Sequence, residues 1–175
     1  MIPTLETERL ILRAPSQSDF DAEAEFYASA RSGFVGGPLE RDQAWRVFAT
    51  MIGHWSLRGF GHFAVEERDT GLYCGLVGPW FPEGWPEPEI GWSIHARAEG
   101  RGIAREAAAR ARRYVYEELG WTTAISLIDP QNLRSIALAE RLGAVYESDY
   151  QHVRYGLMGI YRHPSPDSLA AQGAA

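Results

Sequence analysis

Gly100 and Gly102 sit where a short strand pattern, EIGWSI from Glu89 to Ile94, gives way to an alanine- and arginine-rich helix pattern that ends near Leu119. Neither glycine has a Cβ, so a bulky ligand can approach the main chain there. The first N–H groups of a helix lack an intrahelical partner, and their partial positive charge adds to that of the helix dipole. The turn therefore suits an anion such as a diphosphate, with the amides of Arg101, Gly102, Ile103 and Ala104 as donors. A tight strand-to-helix turn that binds nothing has the same local pattern. A dinucleotide-binding oxidoreductase is a rival reading, with Asp129 after the next strand as its acidic partner. It fits poorly: Arg105 stands at the third glycine position, and five residues, His95 to Glu99, separate strand from glycines.

The rest of the composition narrows the chemistry. All seventeen basic residues are arginine. A Walker lysine, a Schiff-base lysine and a kinase-type strand lysine are thereby excluded, and phosphate recognition must come from amides and arginine. Cys74 is the single cysteine, so no intrachain disulfide or cysteine metal cluster can form, and no metal is expected. It lies in an apolar pattern and reads as an inert core thiol. The net charge of −6 argues against nucleic acid and anionic membranes as partners. No apolar run approaches a membrane span, and no secretory signal pattern is present, so a cytoplasmic location is expected. The 175 residues suit one domain, placed at 1–163, with 164–175 as a mobile tail.

Elements that could position the glycine turn follow from pattern. LETERLILRA alternates and reads as one strand. Ser16 or Ser18 then caps a helix with Phe20, Ala24 and Tyr27 on one face. After a loop with Gly33, Gly36, Gly37 and Pro38, a second helix carries Trp45, Phe48, Ile52 and Trp55 at spacings of three and four, an expected core stripe. Strands around Phe63–Glu66 and Leu72–Val77 form a hairpin about Asp69-Thr70-Gly71. The proline-rich FPEGWPEPE, with Trp80, Phe81 and Trp85, suits a pocket wall or a packed surface loop. In the helix after Gly102, Ala104, Ala107, Ala108, Ala111 and Val115 line one face, and Glu106–Arg110 is an i,i+4 pair. TTAISLI is a buried strand. Asn132 caps a short helix that stops at Gly143, and two last strands follow. This order implies an α+β fold: a mixed, mostly antiparallel twisted sheet covered by helices.

Arg97-Ala98-Glu99-Gly100-Arg101-Gly102 resembles the acetyl-CoA loop of the GNAT superfamily of N-acetyltransferases, Gln/Arg-x-x-Gly-x-Gly/Ala. EIGWSIHARAEGRGIAREA, the opening LETERLILR, and Asn132-Leu133-Arg134-Ser135 with Glu140-Arg141-Leu142-Gly143 resemble the ribosomal-protein alanine N-acetyltransferase branch, the Rim type. These motifs stand in order across most of the chain. The resemblance implies about seven strands and four helices with two central strands splayed apart, and direct acetyl transfer from acetyl-CoA to a primary amine. A fold that binds coenzyme A without catalysis, as a sensor, is the rival of another class.

The resemblance also implies roles. The strand edge from Trp92 through Ser93 and Ile94 to His95 would pair with the pantetheine arm, much as a peptide would. An N–H near Ile94 would stabilise the thioester oxyanion. Asn132 would contact the arm, and Ser135 would lie near the sulfur and donate to the departing thiolate. Asn132 is equally an N-cap on any fold, and Ser135 could simply face solvent. The acceptor amine must lose a proton, and Glu89, on the same face as Gly91 and Ser93, is the candidate base. An exposed strand glutamate is the commoner case. His54, His62 and His95 are alternatives. Tyr73, Trp80 and Trp85 could shape the acceptor pocket or pack the core. The acceptor, a protein N-terminus or a small molecule, and the choice between monomer and homodimer lie beyond the sequence.

Overall fold

The computed structural model describes residues 1–173. The eight strands among them are β1 (Leu5–Glu6), β2 (Leu10–Arg13), β3 (Phe63–Glu67), β4 (Tyr73–Trp80), β5 (Glu89–Ile94), β6 (Ile125–Ile128), β7 (Val145–His152) and β8 (Gly156–Arg162). They form one open sheet in the order β1-β2-β3-β4-β5-β6-β8-β7. Every neighbouring pair is antiparallel except β5–β6, which is parallel. The helices are α1 (Phe20–Ala28), α2 (Arg41–Arg58), α3 (Ile103–Glu117), α4 (Leu133–Arg141) and α5 (Pro166–Gly173). The architecture is the mixed α+β sheet expected, with one strand and one helix more.

The extra strand arises because LETERLILR turns back on itself. Thr7 N–H donates to the Leu10 carbonyl at 3.0 Å, and Leu5 pairs with Leu12. The extra helix starts in the stretch expected to be mobile. The Ser165 hydroxyl caps it by accepting from Ser168 N–H, and Leu169 packs on the main core. Residues 174 and 175 of that tail lie outside the described residues.

Helices cover both faces. The small residues Ala107, Ala108 and Ala111 of α3 are fully buried against Leu10, Leu12, Phe63, Val65, Val77 and Ile90. With no side chain beyond Cβ, they let the helix lie close on the sheet. On the other face, Ala22 of α1 and Met51 of α2 pack on Ala64, Tyr73 and Leu76. The stripe expected on α2 holds at Phe48 and Trp55 and fails at Trp45 and Ile52. Ala44, Phe48 and Trp55 are buried, whereas Trp45 and Ile52 are 52% and 38% exposed. Side-chain size misled at Trp45 and Ile52; the helix turns the small Ala44 toward α1 instead. The pair expected within α3 is also replaced. Glu106 instead reaches Arg9 at 2.6 Å and takes the Thr7 hydroxyl, tying α3 to the β1–β2 turn.

Because α3 is in close contact with the sheet, Ala111→Leu should overpack the interface and lower stability by about 1–3 kcal/mol. A denaturant titration checks this; an unchanged midpoint would show that the helix does not need the short side chain.

Candidate active site

The parallel ladder between β5 and β6 contains one register pair, Glu89–Ile125. Ile125 N–H donates to the Pro88 carbonyl at 3.2 Å. Continuing that register would join Leu127 N–H to the Ile90 carbonyl. Side chains take both groups instead. Leu127 N–H donates to Glu89 Oε2 at 2.9 Å, and Ser126 Oγ donates to the Ile90 carbonyl at 2.7 Å. Beyond this point the strands part. His95 N–H donates to the Cys74 carbonyl at 2.9 Å, so 74–95 is a hydrogen-bonded pair of the β4–β5 ladder. Strict alternation then turns the main-chain groups of Trp92 and Ile94 away from β4, into the gap. Those of Ser93 are spent on β4, so Ser93 contributes no open amide.

Glu89 is not the exposed strand glutamate that base rates favour. It is 8% exposed, and burial raises its pKa to about 7. Hydrogen bonds from Leu127 N–H and from Trp85 Nε1 (3.0 Å) oppose that rise but do not cancel it. Trp85 in turn stands edge-on to His152, 4.8 Å away, and to Tyr155, on the β7–β8 hairpin. Trp80, opposite Glu89 in the ladder, stacks on His54 at 4.3 Å. Glu89 thus faces the α1/α2 side of the sheet under an aromatic cover.

The three candidate histidines divide. His54 donates from Nδ1 to the Phe60 carbonyl and accepts at Nε2 from Phe81 N–H, so both nitrogens are spent on structure. His95 is buried at the far end of β5, where Nε2 meets Glu23 Oε1 at 2.8 Å. Tyr73 donates to the same oxygen, which places it at the opposite end of β4 from Trp80 and away from Glu89. His62 lies beside Glu89. Only a glycine at 91 makes room, since a Cβ there would stand 2.9 Å from His62 Nε2. Both its ring nitrogens are buried without a partner, and desolvation lowers its pKa to about 3.

On the opposite face, Trp92 reaches across the gap and donates from Nε1 to Ser135 Oγ at 3.1 Å. An indole N–H only donates, so Ser135 accepts here and its own proton is free for another acceptor. Asn132 is an N-cap: its Oδ1 accepts from Ser135 N–H at 3.3 Å. Glu89 and Ser135 are therefore on opposite faces, joined through the gap and not by contact.

The glycine turn closes the end of the gap. Gly100 and Gly102 have φ of +72° and +77°, conformations that strain any residue with a Cβ. Gly102 is the N-cap of α3, and the amides of Arg101, Gly102, Ile103 and Ala104 meet no protein acceptor among the described residues. The turn is held from behind: Arg9 donates to the Arg101 carbonyl at 3.0 Å, and the Arg101 guanidinium pairs with Glu67. Arg97 lies exposed in a short 3-10 turn, Ala96–Ala98. Glu99 is paired with Arg31 at 2.8 Å and Arg134 at 2.7 Å.

The family model for the acetyltransferase (GNAT) domain matches residues 9–145. The chain belongs to the GNAT family. It is an acetyltransferase, and the oxidoreductase rival is set aside. A solved neighbour, an acetyltransferase from Agrobacterium tumefaciens, is 37% identical over 94% of this chain and 95% of its own, with a TM-score of 0.86. The uncharacterized N-acetyltransferase p20 of Bacillus licheniformis is 26% identical over 90% of this chain and 93% of its own. YkkB of Bacillus subtilis is 35% identical, and that match spans about half of each chain, 50% and 52%. Rim-type enzymes share the fold: RimL, solved in complex with coenzyme A, is 14% identical with a TM-score of 0.75, covering 92% of this chain and 97% of its own.

This GNAT chain also contains site residues that the sequence did not single out. Ser126 accepts from His163 Nε2 at 3.0 Å, and His163 Nδ1 accepts from Arg112 at 3.2 Å. Ser126 alone left a signal, as a hydroxyl within an apolar strand pattern. Among the described residues no helix is long and apolar enough to cross a membrane.

His62 and His163 both have pKa values lowered to about 3. Unfolded histidines bind protons below about pH 6.5 that these cannot, so their share of stability is complete above that pH and lost as pH falls toward 3. His62 makes no hydrogen bond from its ring to lose. His62→Leu should therefore flatten the acid-side decline by about 1.4 kcal/mol per pH unit between pH 4 and 6. Urea midpoints measured across that range check it; a parallel decline in both proteins would refute the burial of a neutral ring.

Proposed function

We propose that this acetyltransferase transfers the acetyl group of acetyl-CoA directly to a primary amine, a protein N-terminus or a small-molecule amine. The observation that carries the reading is the gap between β5 and β6, with Glu89 on one face and Ser135 on the other. The donors around it fit the carrier. The amides of Arg101, Gly102, Ile103 and Ala104 suit its diphosphate, with Gly100 allowing close approach. The outward main-chain groups of Trp92 and Ile94 suit the amide-rich arm, and Asn132 flanks it. When bound, acetyl-CoA supplies an acyl group already activated as a thioester.

The chain's own groups would act as follows. Glu89 takes the proton of the incoming ammonium, directly or through one water; a pKa near 7 leaves about half of it ionised, and basic, at neutral pH. Trp85 and Leu127 hold the carboxylate in place. The Ile94 N–H donates toward the acyl oxygen. Ser135, with Trp92 occupying one lone pair, gives its proton to the departing sulfur and takes back the proton that the attacking nitrogen loses as the amide forms. Trp80 and Trp85 wall the acceptor side. Rim-type relatives in fold acetylate ribosomal proteins by their names, which supports a protein N-terminus as one acceptor class. A cytoplasmic location belongs to this reading on the sequence grounds above.

Calorimetry with coenzyme A and a thiol-release assay over an amine panel test the reading. Glu89→Gln should lower kcat by about 10²–10⁴-fold. The wild-type kcat/KM should fall as pH drops through about 7, because the base must be ionised, and the variant should lack that limb. Two acceptors of different amine pKa separate the limb from titration of the acceptor. Unchanged turnover in both Glu89→Gln and Ser135→Ala would remove the catalytic assignment.

A further inference from the structure

The Arg31–Glu99–Arg134 contact lies past the end of β5, beyond the point where β5 and β6 part. Glu99 follows β5 and stands one residue before Gly100; Arg134 is in the first turn of α4, which follows β6. Their 2.7 Å contact therefore spans the mouth of the cleft between the two parted strands. Arg31, from the 3-10 turn Ala30–Val35 after α1, holds the other carboxylate oxygen at 2.8 Å and also donates to the Ile94 carbonyl at 3.4 Å. The two arginines are unequal. Arg31 is 27% exposed and doubly held, whereas Arg134 is 62% exposed and has this one partner among the described residues.

We infer that Arg134 is a phosphate-binding residue, held across the cleft mouth by Glu99 until a phosphorylated carrier displaces the carboxylate. This inference rests on the acetyl-CoA reading. The free amides of the glycine turn are dipoles without net charge, and the arginines behind it, Arg9 and Arg101, are paired with Glu106 and Glu67, so Arg134 is a cation that the other side of the cleft can add for a diphosphate or a ribose phosphate. Arg134 is adjacent to Ser135 and opposite that turn. Its guanidinium fork matches a phosphate as well as it matches a carboxylate. Exchange replaces one charge-assisted pair by another, and an exposed ion pair is worth little to break. Arg31 remains on Glu99 after the exchange, so the carboxylate is not left unpaired beside the phosphates. Hydrogen bonding from Arg31, ahead of the other influences, holds the Glu99 carboxyl below its ordinary pKa. The consequence is selection: a thioester without phosphate cannot trade for Arg134 and gains nothing from it.

Titration calorimetry of the full chain with coenzyme A, dephospho-coenzyme A and pantetheine tests this. Arg134→Ala should weaken coenzyme A about tenfold and leave pantetheine unchanged, and Arg134→Lys should fall between. Loss confined to coenzyme A assigns Arg134 to the ribose phosphate; equal loss with dephospho-coenzyme A assigns it to the diphosphate. Glu99→Gln should tighten coenzyme A several-fold, and that gain should vanish when combined with Arg134→Ala. Equal affinity of wild type and Arg134→Ala for coenzyme A, or weaker binding by Glu99→Gln, overturns the inference alone. No binding of coenzyme A to the wild type at millimolar concentration overturns the acetyl-CoA reading and this inference with it.

Discussion

A parallel ladder that stops after a single residue pair governs this molecule. Parting two buried strands exposes an N–H and a carbonyl that water cannot reach, and each orphan would cost about 1–3 kcal/mol. The chain resolves this by lending side chains to the backbone. The Glu89 carboxylate takes the Leu127 N–H, and the Ser126 hydroxyl takes the Ile90 carbonyl. The gap is thereby a satisfied structure. The same carboxylate is left with a pKa near 7, because burial outweighs two hydrogen bonds that favour its charge. The structural strap and the proposed proton acceptor are one group.

Support for the split comes from behind it. Arg112 of α3 donates to His163 and to the Leu142 carbonyl, His163 donates to Ser126, and Ser126 donates to Ile90. The direction of each bond follows from the next, since a carbonyl only accepts; His163 must be neutral with its proton on Nε2. Burial of the ring enforces that state. On the other face, Tyr73 and His95 converge on Glu23 and anchor α1 to the far end of β5. Buried polar chains of this kind specify one arrangement because any slip leaves a member unpaired. They hold β5 in place along both its faces while the N–H groups of Trp92 and Ile94 on its open edge stay turned toward the gap.

The two faces of that strand divide the chemistry. Alternation sends Glu89 and Gly91 toward α1 and α2, and Ile90 and Trp92 toward α3 and α4. An acceptor and a carrier arriving from opposite sides would then meet only at the gap. The aromatic cover over Glu89, built from Trp85, Trp80 and the β7–β8 hairpin, buries the carboxylate.

The sequence by itself determined what local rules control. Gly100 and Gly102 were legible because φ near +75° beside a helix start calls for glycine. Asn132 was legible as a cap, and α3 by its alanine face. It misled where size stood in for direction, as with Trp45 and Ile52 on α2, and where a polar group could be spent on either of two partners, as with Tyr73 and Glu106. Only the tertiary structure decided what Glu89, Trp92, Ser135 and Glu99 do. Each meets a partner tens of residues away, Leu127, Ser135, Trp92 and Arg31 in turn. A side chain's protonation and reach depend on what the fold brings beside it, and composition and spacing do not encode which strand will part from which.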